Sequence, residues 1–362
     1  MFIIITVTQA LLYICYSIIM GSFLLNLVPN NYKPLIYLPR KILLISLGGI
    51  VIFSFIPVLP LILHLNSLLG FTDAVNSVLL TFQIGKSWLF TFVVSLTFVP
   101  FLVFFNNRKT IQNIVGILFT LILISAVGWS SHASSLNPVK GFLSDSTHLT
   151  AVSVWVGILF IISWFSKDES NWLPFLKWFT PVAISCLVIT AISGIVLMTF
   201  DIDFNNYYNS WMIPYGQSLL IKHILIIPLL VYAFINGFFI KRRLNKEENF
   251  NPKPWARIES IIILFVFTAT SALSQQSPPK ETAITEESVS PIFKVFHQGE
   301  VELGVNLQVG ISLISILFLL LTLVFLILTV VFYFKKKSSY LSLVLGILSL
   351  VSIYLSLMYI VS

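Results

Sequence analysis

Apolar residues run through this chain in long unbroken stretches instead of alternating with polar ones. Stretches of roughly 18–25 residues, long enough to cross a hydrocarbon core of ~30 Å as helices, fall at about 3–26, 41–63, 88–105, 112–130, 148–165, 180–200, 218–240, 259–275, 310–334 and 340–361. The pattern predicts an all-α fold, a polytopic transmembrane bundle of about ten helices. The longest polar interruption, 276–309, opens after Gln275 and runs through Pro278-Pro279. It carries Glu281, Glu286, Glu287, Glu300 and Glu302, as expected of an outer, partly extended connector. From Ile292 to Gly304 its alternation suits a short hairpin.

Composition and charge sharpen this picture. Hydrophobic residues make up 57% and charged residues 10%, and mean hydropathy is +0.96, beyond what a soluble domain tolerates. The net charge of +7 is unevenly distributed. Loops after odd-numbered helices hold Lys33, Arg40, Lys41, Arg108, Lys109, Lys167, Lys177, Lys241, Arg242, Arg243, Lys246, Lys253, Arg257 and Lys335–Lys337, 16 of the 21 basic residues. By the positive-inside rule those loops face the cytoplasm and both termini lie outside. The excess is a topology signal, not a nucleic-acid footprint. The first helix has no basic leader and reads as uncleaved. Cys15 and Cys186 fall inside helices and read as structural thiols. A weak echo links Ile84-Gly85-Lys86-Ser87 to Tyr215-Gly216-Gln217-Ser218, each opening a helix, and chance accounts for it as well as a repeat does.

Candidate chemistry concentrates at one end of the helices. All five histidines, His64, His132, His148, His223 and His297, map to the side predicted to be outer. Asp145 and His148 are three apart and share a helix face if the fifth helix starts early enough, with Val152 and Trp155 continuing the stripe. A carboxylate beside an imidazole can bind a metal or orient the ring, although Asp145 also suits a helix N-cap. His132 lies at the end of the neighbouring helix, within reach of His148 if the loop folds back, or simply solvated. Lys222 and His223 sit inside the seventh helix, where ionisable groups line a pathway or, for a lysine, snorkel to the headgroups. Toward the other side stand Asn236 and Glu259, the latter with Arg257 or Arg243 as alternative partners. Met198 and Met212 offer thioethers suited to soft cations, with packing the ordinary role. Trp88, Trp129, Trp155 and Trp211 read as an aromatic belt. A phosphate loop, a nucleophile elbow, Cys-x-x-Cys and His-Glu-x-x-His are all lacking, so hydrolytic and nucleotide-driven chemistry have no apparatus in the sequence.

These pieces together resemble the CopD family of bacterial copper-resistance and copper-uptake membrane proteins. The resemblance rests on Thr81-Phe82-Gln83-Ile84-Gly85 with Trp88, Ser131-His132-Ala133, Asp145-x-x-His148, Trp155-x-Gly157, Gly194, Tyr215-Gly216-x-x-Leu219-x-x-Lys222, Asn236, Arg257-x-Glu259 and Pro278-Pro279. It covers roughly 60–280, and implies an eight-helix CopD-like membrane core over 1–275, an outer loop over 276–309 and two additional helices over 310–362. It further implies copper movement across the cytoplasmic membrane, more often inward, with His132, Asp145 and His148 facing the metal outside. His223 and Met198 would relay the ion along a pathway lined by Lys222, Asn236 and Glu259. Two departures stand out. Ile158 replaces a frequent glycine, and no copper-binding domain of the CopC type is fused, so a separate CopC-type protein would deliver the ion. The rival readings are a haem-binding membrane oxidoreductase, with His132, His148 and His223 as axial ligands, and a non-transporting copper sensor or assembly factor.

Overall fold

The computed structural model describes residues 1–106, 109–247, 250–282, 284–297, 307–336 and 338–361. Among the described residues ten helices are long and apolar enough to cross a membrane, as the hydropathy pattern predicts. Chain contacts divide them into two compact units, Met1–Phe200 and Asp201–Ser362.

The first unit contains α1 (Phe2–Leu27), α2 (Arg40–Leu69), a short α3 (Phe71–Leu80), α4 (Gln83–Phe104), α5 (Thr110–Trp129), a five-residue α6 (His132–Leu136), α7 (Pro138–Phe165) and α8 (Trp172–Asp201). Its core forms where α1, α5 and α7 meet. Lipid tails are as apolar as leucine, so membrane helices associate by close packing, which small residues permit. A Cβ on Gly157 would lie 2.0 Å from the Ser17 carbonyl oxygen, and one on Gly21 would lie 2.3 Å from the Gly157 carbonyl carbon. Gly128 meets Ser146 in the same way, at 2.1 Å from its Oγ, where α5 crosses α7. Around these contacts Leu12, Tyr16, Ile19, Phe23, Phe98, Leu123 and Leu149 pack as one buried cluster. By contrast, α8 has only 11% of its apolar window buried, and its Ile184, Val188, Ile192 and Ile195 are exposed.

The second unit contains α9 (Pro214–Leu244), α10 (Lys253–Leu273), a short α11 (Pro291–Phe296), α12 (Leu313–Phe334) and α13 (Ser339–Met358). The last two helices pair along buried hydroxyl side chains, with Ser356 Oγ donating to the Ser315 carbonyl at 2.8 Å and Ser312 Oγ to Tyr359 O at 3.0 Å. Tyr232 ties α13 to α9 by donating to the Ser342 carbonyl at 2.6 Å.

Three expectations are corrected. The fifth membrane helix starts at Pro138, ten residues before the apolar run, because Asn137 caps it by accepting from the Lys140 amide at 3.0 Å. Asp145 therefore lies inside the helix and is not its N-cap. His64, expected after the second helix, lies within α2. The expected hairpin begins instead as α11, set up by Pro291 at the first helical position, and its residues 298–304 lie outside the described residues, as do Arg108, Lys337, Glu300 and Glu302. The sequence echo has a local counterpart. Gly85 and Gly216 each sit in the first turn of a helix against a preceding carbonyl, where a Cβ would come within 2.0 Å of Val78 O and 1.8 Å of Ser210 O.

Several loop cations double as helix caps. Lys33, buried, donates to Leu25 O at the end of α1, and burial lowers its pKa. Arg40 donates to Val103 O at 2.6 Å and Phe105 O at 2.7 Å at the end of α4, where unsatisfied carbonyls and the helix dipole favour a cation.

Gly157→Ala is expected to cost on the order of 1–3 kcal/mol or more by overpacking, lowering the apparent melting temperature of the detergent-solubilised protein. Gly48→Ala, where a Cβ meets nothing within 4 Å, is the matched control and should be neutral or stabilising. Equal melting of the two variants would refute the glycine contact as the packing determinant.

Candidate functional site

Starting α7 at Pro138 puts Asp145 and His148 a turn apart on one face, both half-buried. The His148 Nδ1 is 3.0 Å from Ser193 Oγ on α8, and a Cβ on Gly194 would meet the ring at 3.3 Å. The Ser193 hydroxyl gives its own hydrogen to Ile189 O at 2.7 Å. It therefore receives the Nδ1 hydrogen. A ligand histidine is oriented in the same way, by donating through its second nitrogen. Asp145 lies within electrostatic range of Tyr13 on α1.

His132 occupies the first turn of α6 and is exposed. The turn beneath it is pinned by Ser131, which caps the helix and donates to Gly128 O at 2.9 Å, and by Ser134 donating to the same carbonyl. A cavity of about 510 Å³ opens beside this turn, lined by Gln83, Lys86, Trp129, Ser134, Ser135 and Pro138 among others. Among the described residues no group of three or more His, Cys, Asp or Glu is gathered closely enough to hold a metal ion. The structure thus joins Asp145, His148 and Ser193 in one neighbourhood and leaves His132 on the adjoining turn. Met198 is half-buried further along α8.

In the second unit Tyr207 Oη lies 2.8 Å from His223 Nδ1. Burial raises the tyrosine's pKa, so the hydroxyl keeps its proton and donates it, occupying that ring nitrogen. The neighbouring Lys222 is half-buried. Met212 packs with Trp211, Leu220, Phe293 and Met358.

Asn236 and Glu259 meet inside the same unit. Asn236 lies in a π-helical segment of α9, Ile235–Ile240, a distortion frequent at functional positions. Its Nδ2 donates to Glu259 Oε2 at 2.6 Å and to Trp255 O at 3.3 Å. Both side chains are buried, at 7% and 3% exposure, and Asn236 Oδ1 has no hydrogen-bond partner among the described residues. Glu259 is thus held by an amide. Arg243 donates instead to Glu247 at 3.0 Å and lies over the Phe250 ring.

His297 falls in the long loop by sequence, with the other histidines on the side predicted to be outer, and the sequence assigns it no individual role. The structure buries it to 9% exposure, stacked on Phe293 with ring centroids 4.5 Å apart. Burial lowers its pKa.

Fold and site define a helical multi-pass membrane protein with polar side chains paired inside the membrane bundle. Residues 173–273 match the family described as CopD, copper resistance protein D, and over this segment the resemblance read from the sequence is borne out. The match runs from α8 to the end of α10 and includes Ser193, Gly194, Met198, Lys222, His223, Asn236 and Glu259. His132, Asp145, His148 and the last two helices lie outside it. The chain is also similar to "Copper transport protein CutJ" of Bacillus subtilis (strain 168), 27% identical over 173 residues, 45% of this chain and 31% of that protein. It thus spans about a third of the length of that curated relative. No solved structure matches the chain.

Two predictions follow from these geometries. Asn236→Leu strips the amide donor from buried Glu259 and is expected to destabilise by about 1–3 kcal/mol. Adding Glu259→Leu should cost less than the sum of the two single changes, and additive losses in thermal unfolding would disprove the pairing. Because His297 has its folded pKa lowered, its contribution to stability is complete above the ordinary histidine value of ~6.5 and drains as pH falls toward the folded value. The native protein should therefore lose more thermal stability than His297→Phe between neutral pH and pH ~5; equal losses would refute the burial effect.

Proposed function

We propose that the protein moves copper across the bacterial cytoplasmic membrane, inward, as a permease and not as an enzyme. The CopD match carries this reading, because it falls on the helices that hold Ser193, the partner of His148, and the buried Asn236–Glu259 pair. The printed name of the Bacillus subtilis relative supports it.

In this reading Asp145 and His148 capture the ion at the face that the loop charges assign to the outside, with His132 on the adjoining turn as a third donor. Imidazole suits both copper oxidation states, and Ser193 orients the ring by accepting from Nδ1. His223, Met198 and the polar side chains Lys222, Asn236 and Glu259 serve the inward passage. A separate CopC-type protein delivers copper to the outer face. The membrane potential favours inward movement of a cation by ~2.3 kcal/mol per charge per 100 mV, which suffices without nucleotide hydrolysis.

The test is copper uptake into proteoliposomes, with Cu(I) and Cu(II) supplied separately and His148→Ala as the control. Expected is flux that falls at least tenfold in the variant. Unchanged flux in His148→Ala would remove the capture site, and copper binding without flux would replace the permease with a sensor or assembly factor. A Soret band in the purified protein would favour the haem reading.

A further inference from the structure

Three residues far apart in sequence converge at one end of the second unit. Met212 ends the turn before α9, His297 follows α11, and Met358 closes α13. Met212 and Met358 are 4% and 0% exposed, and both belong to the packed cluster that contains Phe293 and Val361. His297 touches that cluster through its ring, stacked on Phe293 at 4.5 Å and 16°, and through a hydrogen bond to the backbone of Val361. Its Nδ1 is enclosed and has no hydrogen-bond partner among the described residues, which leaves Nε2 to make the bond to Val361.

An enclosed imidazole nitrogen without a partner is costly in an apolar setting. The packed cluster that His297 stacks against contains two thioethers, those of Met212 and Met358. Met358 Sδ is itself held, accepting a weak bond from Gln217 Nε2 at 3.9 Å. Gln217 is in turn fixed by donating to Trp211 O at 2.6 Å and accepting from Tyr354 Oη at 2.6 Å. The Met212 backbone is anchored by the Ser290 amide at 2.7 Å. A histidine that donates through one nitrogen to a backbone carbonyl and offers the other is arranged as metal-ligating histidines are. Thioether and imidazole together select a soft ion. All three donors are uncharged, which favours a monovalent ion over a divalent one in a buried setting.

We propose that His297 Nδ1 and the thioethers of Met212 and Met358 form a binding site for a cuprous ion, two of whose donors, His297 and Met358, lie outside the segment that matches the CopD family. The choice of copper among soft monovalent ions rests on the transport reading, whereas the donor set does not. The site gives the C-terminal segment a part in metal handling, since α13 supplies one ligand and Val361, just beyond it, the backbone that orients another.

The experiment is anaerobic titration of the full-length, detergent-purified protein with Cu(I) against a chromophoric competitor, with Ag(I) as a second probe. The variants are His297→Gln, Met212→Leu and Met358→Leu, the last two chosen because leucine keeps the volume. The native protein should bind one Cu(I) equivalent that each variant weakens at least tenfold, and its copper X-ray absorption spectrum should contain both sulfur and imidazole scattering. Unchanged stoichiometry and affinity in all three variants, or a native spectrum without sulfur, would overturn the site. The spectrum needs no variant and so decides the matter even if a substitution misfolds. Binding that depends on His297 without proteoliposome flux supports the site while removing the permease, and flux with no His297-dependent binding does the reverse.

Discussion

Two glycines set the depth at which the first and fifth membrane helices cross. With Gly21 against Gly157, backbone touches backbone, and nothing larger than a hydrogen fits between them. Lipid provides no hydrophobic reward for helix association, so this fit is what brings α1 onto α7 and seats α5 beside both. The position of α7 then fixes where Asp145 and His148 stand. Ile158, next to Gly157, is buried at 2% exposure and packs beside the crossing, so the departure from the family's second glycine leaves the contact itself intact.

The units handle polarity differently. In the first, polar side chains gather toward one end, around the α6 turn and the His148–Ser193 contact, where water and ions can reach. In the second, Asn236 and Glu259 meet within the membrane helices, and the π-helical segment turns the amide toward α10. The amide orients the Glu259 carboxyl by donating to it and supplies no opposite charge.

Helix number was legible because hydropathy over twenty residues is a strong signal, averaged across many side chains. Helix starts were less so. The first turns of α7 carry Lys140, Gly141, Ser144 and Asp145 and read as loop, and the N-cap that extends α7 is a single asparagine. Asp145–x–x–His148 was legible as a face once a helix was granted, but Ser193 was not, because contact between distant positions leaves no trace in spacing. Glu259 was legible as a candidate, either in the pathway or beside Arg257 or Arg243 at the interface, whereas Asn236 as its hydrogen-bond partner was not. His297 was missed because the residues around it are acidic and polar, and only the fold of 284–297 brings it under cover. No periodicity could have joined positions 212, 297 and 358.

Lys33 and Arg40 carry a final consequence. Two of the cations that the positive-inside rule counts toward orientation also close the carbonyl ends of α1 and α4. Where the chain enters the bilayer and where two of its helices stop are therefore written in the same atoms. Evolution cannot relocate those charges to invert the protein without also fraying the helices they terminate, so topology is inherited together with the fold and not as an independent label on it.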